Sequence, residues 1–256
     1  MINKRENLKK LYHELDSKEL LTVKYLEAIG ISGQARYYYA NHGWLEKIGN
    51  GAYKMPGKTV SWKRAVIALQ EQLGLPVHLG AKTVFQLAGK SHYVNQPKLY
   101  LFSPHNTAIP KWLLNSNEFK ESGFKFYEGN VIKDWQLGLE RNQGVLCSSL
   151  ERAILEQISL IGKSETFEET FKLMEGLTAL RSKLLQPLLE ACSSVKTKRI
   201  FLYFAEKINY PWFGKLKVDK IDLGSGPRQI DKNGVYVSKY KLIVPKLEDE
   251  WNERAL

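Results

Sequence analysis

Cysteine is nearly absent from this chain. The 256 residues include two, Cys147 and Cys192, far apart and without CxxC spacing, so neither a disulfide framework nor a structural zinc site is indicated and both read as small buried hydrophobes. Long apolar runs are missing too. None approaches the roughly 20 residues that span a bilayer, and the opening stretch, Met1 to Lys10, is charged rather than leader-like, so the expectation is a cytoplasmic protein without a membrane partner. The five histidines, His13, His42, His78, His92 and His105, show neither HExxH nor HxH spacing. No metal site and no cofactor is expected.

Enzyme signatures are equally sparse. Gly224-Ser225-Gly226-Pro227 looks like a phosphate cradle but lacks the strand-to-helix setting and the downstream lysine of a P-loop, so a tight turn is the better account. Asp219, Lys220 and Asp222 match the acidic-plus-lysine set of a metal-dependent nuclease, yet alternation along a strand would turn Asp219 away from the other two. With no catalytic residue indicated, the chain reads as a binding protein.

What is present is an uneven basic charge. The formal net charge is +11. Residues 1–64 hold 12 basic and 6 acidic side chains, 65–195 hold 13 of each, 196–246 hold 12 and 4, and the last ten are acidic by three. Two basic segments around a neutral middle suit a polyanion partner, because cations that neutralise phosphates release condensed counterions.

Along the chain, Leu8, Leu11, Tyr12 and Leu15 recur at helical spacing, which predicts a first helix over Glu6 to Leu15, interrupted at Asp16 and Ser17. Thr22 can cap a second short helix with Val23, Leu26 and Ile29 inward, ended by Gly30; Ser32 can cap a third that stops at Gly43. A three-residue connection between short helices is the helix-turn-helix pattern. Trp44 to Ile48 and Ala52 to Met55, around Gly49-Asn50-Gly51, read as a hairpin in the place of a wing. The expected fold is α+β: a winged helix-turn-helix over 1–57, then a larger, mainly helical domain over 58–256 that ends in short strands and is divisible near 145. Its helical stripes include Leu150, Ile154, Ile158 and Ile161.

In such a module the third helix enters the major groove. With Ala35 and Tyr39 inward, Gln34, Tyr37, Tyr38 and Asn41 project outward, flanked by Arg36 and His42. Gln34 and Asn41 can pair bidentately with adenine, Arg36 can meet guanine or phosphate, and tyrosine hydroxyls reach phosphates. Ser32 belongs to the same DNA-binding set, and Lys47, Asn50, Tyr53 and Lys54 would serve the wing. A second basic surface is expected from Lys196, Lys198, Arg199, Lys215, Lys217 and Arg228. The alternatives are a metal-dependent nuclease with a winged targeting domain and a winged module that binds protein.

Taken in order, Gly43-Trp44-Leu45, Gly49-Asn50-Gly51-Ala52-Tyr53, the stretches Gly80 to Gly89 and Leu99 to Trp112, and Ser149-Leu150-Glu151-Arg152 form a pattern. It closes with Gly224 to Pro245, including Arg228, Gly234 and Tyr240. This pattern resembles the AbiE-type, type IV antitoxin and transcriptional regulator family of bacterial toxin–antitoxin and phage-defence operons, over nearly the whole chain. The resemblance implies an N-terminal winged domain that represses its own operon by binding double-stranded promoter DNA. It also implies a larger domain that counteracts a nucleotidyltransferase-like toxin, a functional partner with which family antitoxins generally form no stable complex. The family's recognition helix is often more basic than Ser32-Gly33-Gln34-Ala35-Arg36.

Overall fold

A computed structural model describes residues 4–90 and 98–246, so His92 lies outside the described residues. Among these residues the fold is mixed α+β, with eleven α-helices and three sheets. They form two compact units threaded through one another in sequence, the first from 4–79, 98–129 and 141–147, the second from 80–90, 130–140 and 148–246.

The first unit opens with α1 (Lys4–Lys18), β1 (Leu20–Thr22), α2 (Val23–Ala28), α3 (Gly33–Asn41), β2 (Glu46–Gly49) and β3 (Ala52–Lys54). Helix α1 does not stop at Asp16 and Ser17. Both sit in its last turn, where the Ser17 hydroxyl donates to the Glu14 carbonyl at 3.1 Å and so stays within the helix. Leu11 and Leu15 join Leu21, Leu26, Ile31, Tyr39, Leu45 and Tyr53 in one buried cluster. Burying each of these aliphatic side chains is worth roughly 2 kcal/mol of transfer free energy. Thr22 and Ser32 accept from the amides of Tyr25 and Ala35, both at 3.2 Å, which starts α2 and α3 where orphan N–H groups need partners. Strand β3 lies between β1 and β2, antiparallel to both, with Leu21 opposite Tyr53 and Lys47 also opposite Tyr53.

The first unit continues with α4 (Trp62–Ile67), a π-helical turn (Ala68–Gln72), β4 (His78–Leu79) and, after α5 of the second unit (Ala81–Leu87), with β5 (Leu99–Ser103). Next come α6 (Lys111–Asn115), α7 (Asn117–Lys120) and β6 (Phe124–Glu128); β7 (Leu139–Asn142) and β8 (Val145–Ser148) follow. These strands order as β6-β5-β4-β8-β7, with β5 parallel to β6 and β4 parallel to β8.

The second unit is centred on α8 (Leu150–Ser159), against which α5, α9 (Phe167–Glu175), α10 (Ser182–Ala191) and α11 (Val195–Ile208) pack. Three short strands, β9 (Arg228–Gln229), β10 (Val235–Val237) and β11 (Leu242–Val244), form a sheet with β11 in the middle. Val218–Lys220 is a 3-10 turn rather than a strand, so strand alternation does not apply to Asp219, Lys220 and Asp222. Asp222 accepts from the Gly224 amide at 2.8 Å, and Gly224 and Gly226 both adopt left-handed conformations in a turn.

Helix α8 buries charge as well as apolar surface. Glu151 accepts the Arg181 amide at 2.8 Å, its Nε at 3.0 Å and an Nη at 2.8 Å. Burial would raise this carboxyl's pKa, but the Arg181 donors outweigh burial and hold it below the usual value. A depressed carboxylate stabilises the fold above its unfolded pKa of about 4.3, and that contribution fades as pH falls through the folded value. Thermal melts from pH 6 to pH 3 are therefore expected to show a falling melting temperature whose acid limb is shallower in Glu151→Gln. Parallel curves for the two proteins would refute this source of acid sensitivity.

Candidate nucleic-acid interface

Helix α3 is fixed from one side and open on the other. Tyr39 turns inward at 3 % exposed, with Ala35 and Ala40 packed against the same cluster, while Tyr37 is 70 % exposed. Gln34, Tyr38 and Asn41 are exposed as well, so the outward face carries two amides and two phenols within nine residues. Ser32 is exposed too, with its hydroxyl committed to the helix cap. At the other end, Tyr38 lies 4.0 Å from the His42 ring and 5.8 Å from Trp44, and His42 Nδ1 is 2.9 Å from the Tyr38 carbonyl. This aromatic cluster fixes the last turn of α3.

Arg36 is placed differently from its exposed neighbours. One Nη donates to the Ile31 carbonyl and the other to Glu27, each at 2.9 Å, so its guanidinium spans the turn between α2 and α3.

The hairpin keeps only part of its expected set outward. Lys47 and Asn50 are exposed. Tyr53 and Lys54 are inside, because β3 is the middle strand and is covered on both edges. Lys54 forms ion pairs with Glu46 and Glu118, and although burial works against its charge, these carboxylates hold its ammonium above the usual lysine pKa. Glu118 also accepts the Val60 amide at 2.6 Å. The turn itself rests on Trp112: a Cβ on Gly49 would come within 3.1 Å of the Trp112 Cβ, and one on Gly51, whose φ is +109°, within 3.4 Å of its ring. The contacts of Trp112 and Glu118 with the hairpin have no local sequence signal, since these residues lie some sixty positions downstream, and nothing in the spacing of Glu27 marks a partner nine residues on.

Residues 4–96 match the family described as "Transcriptional regulator, AbiEi antitoxin N-terminal domain", and residues 96–245 match "Transcriptional regulator, AbiEi antitoxin, Type IV TA system". The chain belongs to the AbiEi family. The open face of α3 thus lies in the AbiEi N-terminal region. The fold is also similar to the crystal structure of the RV2827C protein from Mycobacterium tuberculosis, with a TM-score of 0.61 and 14 % identity over 97 % of this chain and 92 % of that one. No curated protein matches.

The second basic set of this AbiEi chain does not form one solvated surface. Lys198 and Arg199 are buried, and Arg199 donates to the carbonyls of Leu223, Gly224, Gly226 and Lys241. Lys196 is half-buried on the Ile161 carbonyl at 3.0 Å; burial, then the nearby Lys163 charge, lowers its pKa. Arg228 contacts the Ser225 and Pro227 carbonyls, which leaves Lys215 and Lys217 as the exposed members of the six. Among the described residues no three His, Cys, Asp or Glu side chains group as a metal site, and no helix is long and apolar enough to cross a membrane.

Proposed function

We propose that this protein is a transcriptional autorepressor and antitoxin in which residues 1–57 act as a winged helix-turn-helix. Helix α3 reads the major groove of double-stranded promoter DNA upstream of its own operon, with Lys47 and Asn50 of the hairpin beside it. Residues 58–256 carry the activity that opposes a co-encoded nucleotidyltransferase-like toxin in the cytoplasm, within a phage-defence operon. The observation that carries the DNA reading is the outward quartet of Gln34, Tyr37, Tyr38 and Asn41 on a helix whose other face is packed.

The chemistry of that quartet specifies its reading. Gln34 and Asn41 are seven residues apart, or about 10 Å along a helix, and DNA rises about 3.4 Å per base step. Amides at that separation address adenines about three base pairs apart, and the phenol rings between them suit thymine methyls. Labelled upstream DNA, with magnesium present, is expected to shift without being cut. Asn41→Ala should weaken that complex roughly tenfold, in line with about 1–3 kcal/mol for a bidentate amide–adenine pair. Cleavage would replace the repressor reading with a nuclease, and no shift would replace it with a protein-binding module.

A further inference from the structure

Among the described residues, the open face of α3 carries no free cation. Gln34, Tyr37, Tyr38 and Asn41 are neutral, and Arg36, the one arginine of the helix, is turned aside onto Glu27 and the Ile31 carbonyl, both at 2.9 Å. The asymmetry of this pair is informative: the Arg36 side chain is 11 % exposed and the Glu27 side chain 58 %. Glu27 sits on the solvent side and the guanidinium lies beneath it, close enough to the first turn of α3 that a Cβ on Gly33 would be 3.5 Å from its Nη. Other cations of this region are also occupied by backbone carbonyls, Lys10 with Ile29 and Lys24 with Leu73, each at 3.0 Å. A guanidinium released from Glu27 could swing toward a phosphate and add sequence-independent affinity.

We infer that Glu27 is a specificity-determining residue: it withholds the Arg36 charge from the phosphate backbone, so that binding depends on the neutral reading face. The inference rests on the DNA reading proposed above. In this arrangement Arg36 is a positioning residue, bracing the turn that sets α3 against α2. An ion pair whose carboxylate is open to solvent adds little to stability, so the fold survives the loss of the Glu27 charge.

Salt titrations of binding to the upstream duplex and to a scrambled duplex of the same composition test this, using the full-length chain, Glu27→Gln, Arg36→Gln and the double variant. Glu27→Gln is expected to bind the scrambled duplex several-fold more tightly, to lose preference for the upstream sequence, and to steepen the slope of log K against log salt by about 0.9, the value for one added phosphate contact. Arg36→Gln is expected to bind the upstream duplex more weakly with an unchanged slope, because its charge meets no phosphate. The double variant should lose the gain of Glu27→Gln. An unchanged slope in Glu27→Gln overturns the inference, as does a gain that persists in the double variant, which would then be relief of Glu27's own repulsion. If the unaltered chain binds neither duplex, the DNA reading itself falls. Binding without these slope changes sinks only the role of Glu27.

Discussion

Arg152→Leu is expected to cost about 3–5 kcal/mol of stability, the range for removing one member of a buried, hydrogen-bonded charge pair. Arg152 is 0 % exposed, and its donors reach Glu156 at 2.8 Å, the carbonyls of Trp135 and Leu137 at 2.6 and 2.9 Å, and the Asn130 side-chain oxygen at 3.1 Å. The change takes from the buried Glu156 carboxylate the guanidinium that faces it at 2.8 Å, while neutral donors that include the Ser148 hydroxyl at 2.8 Å and the Ala81 amide at 3.2 Å stay in place. For a chain of this length each kcal/mol moves the melting temperature by about 2–4 °C, so a drop of roughly 10 °C should be visible by circular dichroism. Arg141→Leu is the control, because its pair with Glu71 is half-exposed on both sides and should contribute less than about 1 kcal/mol. Equal shifts in the two variants would show that the buried network is not what holds α8.

Arg199→Ala is the second large effect, and its mode of failure is specific. This guanidinium gathers the backbone oxygens of Leu223, Gly224, Gly226 and Lys241 at 2.6–3.2 Å. Hydrogen bonds to a charged group are worth roughly 1.5–3 kcal/mol each in favourable cases and are not additive, so a loss of about 3 kcal/mol is expected. The turn at 223–226 should become sensitive to limited proteolysis. Lysine should not rescue, because a compact ammonium cannot reproduce the planar fork that reaches these oxygens. A variant with an unchanged melting temperature and uncut turn would return Arg199 to the role of a surface cation.

These two arginines also mark where the sequence stops being informative. Leucines at helical spacing, Ser32 as a cap and Gly30 and Gly43 as stops are local signals, and they locate α1 to α3 and the outward face of the third helix from neighbours within one or two turns. Burial of a charge has no local signal. Lys198 and Arg199 read as a basic surface because the carbonyls that take up Arg199 lie 24 to 42 residues further on. Tyr53 and Lys54 read as wing contacts for the same reason: the strand that covers their second edge is the three-residue β1, too short to show alternation. The order β6-β5-β4-β8-β7 was likewise beyond the reading, since β4 pairs with β8 across the whole of the intervening chain and contributes only two residues.

The way the chain is threaded has a consequence for its synthesis. The hairpin beside α3 rests on Trp112, and Lys54 waits for Glu118, 64 residues downstream. The strands of the same unit are finished only when residues 141–147 have been made. A nascent polypeptide that has just released its third helix from the ribosome therefore lacks the seat of its own hairpin, and translation must run past residue 147 before the first unit can close.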